Sequence, residues 1–323
     1  MQRILLDCDP GHDDAIAILL AARAPGLRLE AITTVAGNQT LEKTTRNALK
    51  VCSVAGIRAV PIAAGMDRPL VRELQVAADI HGASGLDGPS LPEPDIELAP
   101  VHGVDLIIER LLASDGDLTV VATGPLTNVA TAIRREPRIV PRIQHIVLMG
   151  GAMGLGNTTP AAEFNIYVDP EAAQVVFQCG RPLTMIGLDV THQAQATAEV
   201  RARIRALGSP VAMLVDELLG FFAETYHQVF GFSAPPVHDP CAVAQVLDPT
   251  LVRTRQMRVD IELRGEWTTG RTVCDLYGVS GRPPNAAVGL ELDVPRFWDL
   301  LIQTLAAYGP AAVNAPPADG PSA

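Results

Sequence analysis

The sequence predicts an α/β fold, with a mainly parallel central sheet and helices on both faces. Two observations lead there. Short apolar runs lack the period-two alternation of a half-exposed sheet, and each is followed by a stretch with helical spacing. In addition, a dense acidic run falls where the first strand gives way to the first helix, the end of such a sheet at which ligands bind.

In chain order, Ile4 to Leu6 reads as a strand, Asp13 to Ala24 as a helix and Leu29 to Val35 as the next strand. Thr40 to Gly56 reads as a helix closed by glycine, Leu118 to Ala122 as a buried strand and Thr127 to Arg135 as a helix. Ile143 to Met149 (strand), Pro170 to Gln178 (helix) and Leu183 to Ile186 (strand) follow. Strands alternating with helices imply right-handed crossovers. Residues 61 to 100 turn to Gly, Pro, Asp and Ser and read as long loops over the sheet edge. Ala198 to Tyr226 reads as helical, and Gly231 to Pro240 as a mobile loop leading back to the site. Val259 to Leu263 and Thr272 to Tyr277 suggest a late hairpin. Residues 1 to 308 are expected to form one domain, and the Ala- and Pro-rich tail from 309 to 323 to be disordered.

Composition narrows the function. Hydrophobic residues make up 48% of the 323, enough for a large core. The net charge of -11, without a basic cluster, argues against nucleic acid as a partner. No run reaches the ~18 to 20 apolar residues of a membrane span, so no membrane partner is expected. The start, MQRILLDCDPGHDD, puts acids where a signal peptide needs an apolar stretch, which makes the cytoplasm the expected location. Five scattered cysteines without a C-x-x-C pair read as reduced, mostly buried thiols.

The chemistry points to Asp7-Cys8-Asp9-Pro10-Gly11-His12-Asp13-Asp14. Asp7 and Asp9 share a strand face, Pro10-Gly11 forces a turn, and Asp13 and Asp14 enter the first helical turn, so Asp9 and Asp14 can converge. Helix-dipole complementarity and capping explain one or two such acids. Four within eight residues repel unless a cation or shared protons intervene. A carboxylate-only set favours a hard cation such as calcium or magnesium.

That run resembles the D-x-D-P-G-x-D-D signature of the inosine-uridine type nucleoside hydrolases. Six further pieces resemble that family in order: Thr33 to Asn38, Ile80 to Leu86, Thr123 to Asn128, Met149 to Gly151, Ala162 to Asn165 and Val237 to Pro240. The resemblance implies a bound Ca2+, held by Asp9, Asp14, Asp239 and the Thr123 carbonyl, and a small-molecule ribonucleoside as substrate. It implies Asp9 as the general base toward water, and Asp13, Asn38, Asn157, Glu163 and Asn165 as sugar contacts. Glu163 and Asn165, two apart in what reads as an extended segment, are expected to aim at one spot. For protonation of the leaving base, His238 is the first candidate and His81 the second, while His12 at the variable position of the signature reads as structural. Tyr226, Phe230 and Phe164 are candidates to stack on the base, or else core residues. The absence of a tryptophan from every site segment leaves purine preference open. The resemblance further implies a homo-oligomer, dimer or tetramer. Two other readings compete: a magnesium phosphatase with a D-x-D nucleophile pair, which Pro10-Gly11 disfavours, and a non-catalytic ribose or nucleoside binder that kept the cation site.

Overall fold

The computed structural model describes residues 1–309, so of the tail expected to be disordered all but Gly309 lies outside the described residues. The first half alternates strand and helix: β1 (Gln2–Cys8), α1 (His12–Arg23), β2 (Leu27–Thr34), α2 (Leu41–Val54), β3 (Ile62–Ala64), α3 (Ala78–His81), α4 (Gly103–Ala113), β4 (Leu118–Ala122) and α5 (Thr127–Arg135). A short 3-10 turn (Pro137–Arg142) leads to β5 (Ile143–Met149), α6 (Phe164–Val168), α7 (Pro170–Phe177), β6 (Leu183–Ile186) and α8 (Leu188–Thr191). The remainder is α9 (Ala198–Arg205), α10 (Pro210–Phe230), α11 (Asp239–Leu247), β7 (Val252–Ile261), β8 (Thr272–Asp275), β9 (Ala286–Leu292) and α12 (Val294–Ala306).

Nine strands form one sheet in the order β3-β2-β1-β4-β5-β6-β9-β7-β8. Pairings from β3 to β9 are parallel, and those of β7 with β9 and β8 are antiparallel. Both faces are covered. Ile4, Leu6 and Cys8 of β1 pack with α1, α2, α10, α11 and α12, whereas Leu5 faces the opposite layer with α4, α5 and α7. Burial on both sides is why the strands read as unbroken apolar runs.

Four expectations are corrected. The helical stretch expected over 198–226 is two helices, because Gly208, Ser209 and Pro210 interrupt it; Ser209 Oγ accepts from Ala212 N (3.0 Å) and Pro210 opens α10. The loops expected over 61–100 contain β3 and the short α3, which carries His81. Asp239 and Pro240 are the first residues of α11, not the end of a loop. The hairpin of β7 and β8 forms as expected, but β7 is longer and also pairs with β9, which the sequence pattern did not reveal.

Neighbours change direction at β1 and β4. From β1 the chain builds outward through β2 and β3, and from β4 it builds the other way, so a crevice opens at their carboxyl ends. Asp7 pairs with Ala122 across it, which sets Asp9 beside Thr123. Among the described residues no helix is long and apolar enough to cross a membrane.

Leu19 of α1 is wholly buried in the first of these layers. Leu19→Ala is expected to cost about 2–5 kcal/mol of stability by leaving a cavity. Urea unfolding in the presence of calcium measures it, and a loss under about 1 kcal/mol contradicts the packing described.

Candidate active site

Four carboxylates meet at the crevice. Atoms of Asp13, Asp14 and Asp239 lie within 4.8 Å of one another, and all three side chains are buried. Asp9 joins them from the end of β1, its backbone N donating to Asp14 Oδ1 (3.4 Å). Asp14 caps its own helix by accepting from Gly11 N (3.1 Å), and it also accepts from Asn38 Nδ2 (3.1 Å) and Thr123 Oγ1 (2.9 Å). Capping and clustering therefore coincide in one residue. The set brought together differs from the expected one by including Asp13 in the tightest triad.

Asp9 is held on one side only. Its Oδ2 accepts from Asn38 N (2.7 Å), while its Oδ1 is buried with no partner among the described residues. Glycine lets it sit there: a Cβ on Gly37 would lie 2.1 Å from Oδ2, and one on Gly124 would lie 2.6 Å from Oδ1. Thr123 offers its carbonyl beside the cluster; Asn165 Nδ2 donates to it (2.7 Å), which leaves a second lone pair.

Burial pushes all four acids up. It raises Asp14 to about 7, with Asp13 adding to the effect. Asp9 and Asp239 rise well above the usual carboxylate range, through burial first and neighbouring carboxylates next. No Lys or Arg is among the charges acting on the four. An orphaned buried oxygen, an oxygen-only donor set and uncompensated negative charge together fit a hard divalent cation. Asp9, Asp13, Asp14, Asp239 and the Thr123 carbonyl are the groups positioned to hold one.

A cavity of about 230 Å³ opens above the acids, lined by Asp13, Asn38, His81, Thr123, Asn157, Glu163, Phe164, Asn165, Tyr226, Phe230, His238 and Asp239 among others. Several expected sugar contacts are largely engaged in holding the frame. Asn38 Nδ2 serves Asp9 O (3.1 Å) and Asp14, and Asn157 Oδ1 accepts from Phe164 N (3.0 Å). The segment of Glu163 and Asn165 is not extended as expected. Glu163 is the N-cap of α6, accepting from Asn165 N (2.9 Å), Ile166 N (3.2 Å) and Gly151 N (2.7 Å), and burial raises it to about 7. A cap with its side chain turned inward brings Glu163 and Asn165 to one wall without period two.

The opposite wall is aromatic and neutral. His238 is buried and pushed down to about 4 by that burial. Its Nδ1 meets Thr191 Oγ1 (2.8 Å) and its Nε2 meets the Tyr226 hydroxyl (2.6 Å). Asp13 Oδ2 accepts from the His238 backbone N (3.1 Å), tying this wall to the acids. His81 lies in the same cavity with Nδ1 toward His12. His192, which the sequence gave no reason to single out, stands edge-on to His238 at 5.8 Å. The sequence reading also missed Phe222 as a lining residue, although Phe222, Tyr226 and Phe230 follow i, i+4 spacing on α10. Gln75, Val76 and Ile80 also line the cavity; Ile80 opens the Ile80 to Leu86 piece, whereas Gln75 and Val76 lie in a stretch that read only as loop. Cys8 and Cys241 are buried, and burial raises both thiols, so neither is a nucleophile.

Treated with a chelator, the protein is expected to lose stability as pH rises. Asp14 keeps its proton to about 7 when folded but releases it near 3.8 when unfolded. The folded state therefore binds more protons between those values, and its advantage fades as pH climbs through the window. Thermal unfolding from pH 5 to 8 should show a falling Tm that added calcium restores above pH 7. A Tm that rises with pH in the chelated protein contradicts this electrostatic picture.

The comparisons with known proteins agree in direction. The family model described as "Inosine-uridine preferring nucleoside hydrolase" matches residues 4–299. A protein named "Pyrimidine-specific ribonucleoside hydrolase RihA" from Citrobacter koseri is 52% identical over 307 residues, covering 94% of this chain and 98% of its own. One of the same name from Escherichia coli is 51% identical over 307 residues, with the same two coverages of 94% and 98%. Among solved structures, the "Purine-Preferring Ribonucleoside Hydrolase from Gardnerella vaginalis" superposes with a TM-score of 0.89 at 33% identity, covering 95% of this chain and 99% of its own. Matched over nearly its whole length, this chain belongs to the inosine-uridine preferring nucleoside hydrolase family and is an enzyme of that type.

Proposed function

We propose that this enzyme is a calcium-dependent hydrolase of pyrimidine ribonucleosides, yielding ribose and free base. The observation that carries the mechanism is the unpartnered Oδ1 of Asp9, buried beside a carboxylate cluster of which Asp13 and Asp239 line the cavity. Bound calcium would supply the charge that lowers the pKa of a water and fixes the ribose hydroxyls. Asp9 Oδ1 is then the group free to take the water's proton. Oxygen attacks the anomeric carbon as the carbon–nitrogen bond breaks, and the bonding pair leaves with the base. Asn165 and Asn157, with Asp13 and Glu163, are the polar groups that meet the sugar.

The departing nitrogen needs a proton. Both ring nitrogens of His238 are engaged, by Thr191 and Tyr226, so the hydroxyl of Tyr226 is the atom that passes a proton to the base; the phenolate left behind is reprotonated through His238 Nε2 as the imidazole takes up a proton from solvent, which balances the proton that Asp9 later releases to solvent. His238 thus keeps the role expected of it, one bond further back. Pyrimidine preference is carried over from the two RihA relatives, which are more alike to this chain than the purine-preferring structure. The absence of tryptophan from the lining agrees: Trp298 is buried elsewhere and Trp267 is exposed. A dimer or tetramer is proposed on the resemblance, and the exposed Trp267, Tyr277 and Val279 offer apolar surface for it.

Incubation with uridine, cytidine, inosine and adenosine, with calcium or with a chelator, tests the activity by release of base and reducing sugar. Uridine and cytidine should be cleaved fastest, and chelation should abolish turnover. No release from any ribonucleoside with calcium present refutes the proposal. For the leaving group, His238→Ala should lower kcat on uridine about 10²- to 10⁴-fold. It should barely affect p-nitrophenyl riboside, whose anion leaves unprotonated, and equal losses on both count against the relay.

A further inference from the structure

His12 occupies the variable position of the acidic run, and nothing in the proposed reaction uses it. It is nonetheless wholly buried and has two differently directed contacts. Its Nε2 lies 2.8 Å from the Asp87 carbonyl, which only accepts, so Nε2 carries a proton. Its Nδ1 lies 3.1 Å from Nδ1 of His81, and its backbone N lies 3.3 Å from the same atom. The ring is stacked on Phe221 and Phe222, with interplanar angles of 5° and 4°, and His81 stacks on Phe222 at 30°.

This arrangement divides the two nitrogens of His81. With the His12 proton on Nε2, its Nδ1 accepts, so Nδ1 of His81 is the donor between the two rings, whereas Nε2 of His81 has no partner among the described residues and His81 lines the cavity. The loop behind is fixed too, since the Asp87 carboxylate accepts from Ala83 N (2.9 Å) and Ser84 N (3.0 Å). A continuous path therefore runs from that loop through His12 and His81 to the substrate. Resting on the proposed activity, we infer that His12 is a positioning residue: it clamps Nδ1 of His81 so that Nε2 is presented to a polar atom of the bound nucleoside. A packing role alone needs a flat ring between the phenylalanines; it does not need a nitrogen facing His81.

The test is a double-mutant cycle on uridine turnover with calcium, using His12→Phe, His81→Ala and the double variant, with Tm recorded for each. His12→Phe keeps the flat ring and removes the nitrogens, and it should lower kcat/KM about tenfold to a hundredfold. In the His81→Ala background the same change should cost less than about twofold, because its effect passes through His81. Near-native kcat/KM for His12→Phe, or losses that multiply in the double variant, overturn the inference. Should His12→Phe not fold, two other variants decide. His12→Asn places a polar atom where Nδ1 stood and should stay active, whereas His12→Gln keeps only the reach toward Asp87 and should not. The reverse order overturns it. Should no ribonucleoside be cleaved at all, the activity fails separately, and the clamp is still read from ring 15N–1H correlations of His81. Those resonances should move in His12→Asn and His12→Gln, and their constancy overturns the clamp.

Discussion

Four carboxylates buried at the carboxyl ends of the central strands, with no Lys or Arg among the described residues that act on them, are the constraint around which the rest is arranged. A helix N-terminus offers roughly half a positive charge, enough to help one acid and far short of four. The polar contacts around the cluster act as orienting struts. Asn38 and Thr123 aim hydrogen bonds at Asp14, Asn38 N fixes one oxygen of Asp9, and the glycines at 37 and 124 let the surrounding backbone approach it. None of these neutralises charge. Such a floor is costly in the metal-free protein once its acids ionise, and either protonation or a bound cation would relieve that cost.

The opposite wall follows the opposite rule. His238 and Tyr226 are buried as neutral groups, and burial drives each away from its charged form: the imidazole downward and the phenol upward. The acids and the neutral donors are joined through the bond from His238 N to Asp13. A floor of carboxylates whose proton affinity is raised thus faces a wall of neutral hydrogen-bonding groups. On the proposed reaction the sugar lies over the floor and the base against the wall, so the scissile bond lies across the boundary.

Legibility in the sequence tracks how strongly local chemistry determines local structure. The parallel strands β1, β2, β4, β5 and β6 could be read because burial on both faces leaves runs such as Leu118 to Ala122 without polar interruption, whereas the three-residue β3 is too short to show a pattern. The strand β9 could not, since Gly289 and Glu291 dilute its pattern and its place between β6 and β7 is a long-range choice. α12 received no reading from the sequence, although Asp293 caps it and Pro295 stands in its first turn. The acidic run was conspicuous because its charges cannot be explained locally. Asn165 was placed in the wrong secondary structure, because an acid two residues before it fits an extended face and a helix cap equally well; Glu163 alone keeps extended backbone, as the cap. The hydrogen bond between Tyr226 and His238 spans 12 residues across a helix end, and no spacing rule encodes it.

Chemistry and base recognition occupy different parts of the fold, and this separation has a consequence for how such an enzyme changes preference. The acids sit on strand ends and first helical turns, where the sheet fixes them through both neighbours. The lining that would meet the base comes from the last turns of α10, including Val229 and Phe230, and from Gln75 to Ile80 before and within α3. Val229 and Phe230 are exposed at a helix end, where substitutions create no core cavity. Side chains there can be exchanged to admit a larger or more polar ring without moving Asp9 or Asp14. Tyr226 is the exception, because it belongs to that helix yet bonds His238. Its position ties any reshaping of the base pocket to proton delivery, so residues one turn further along the helix are the freer choice for altering preference.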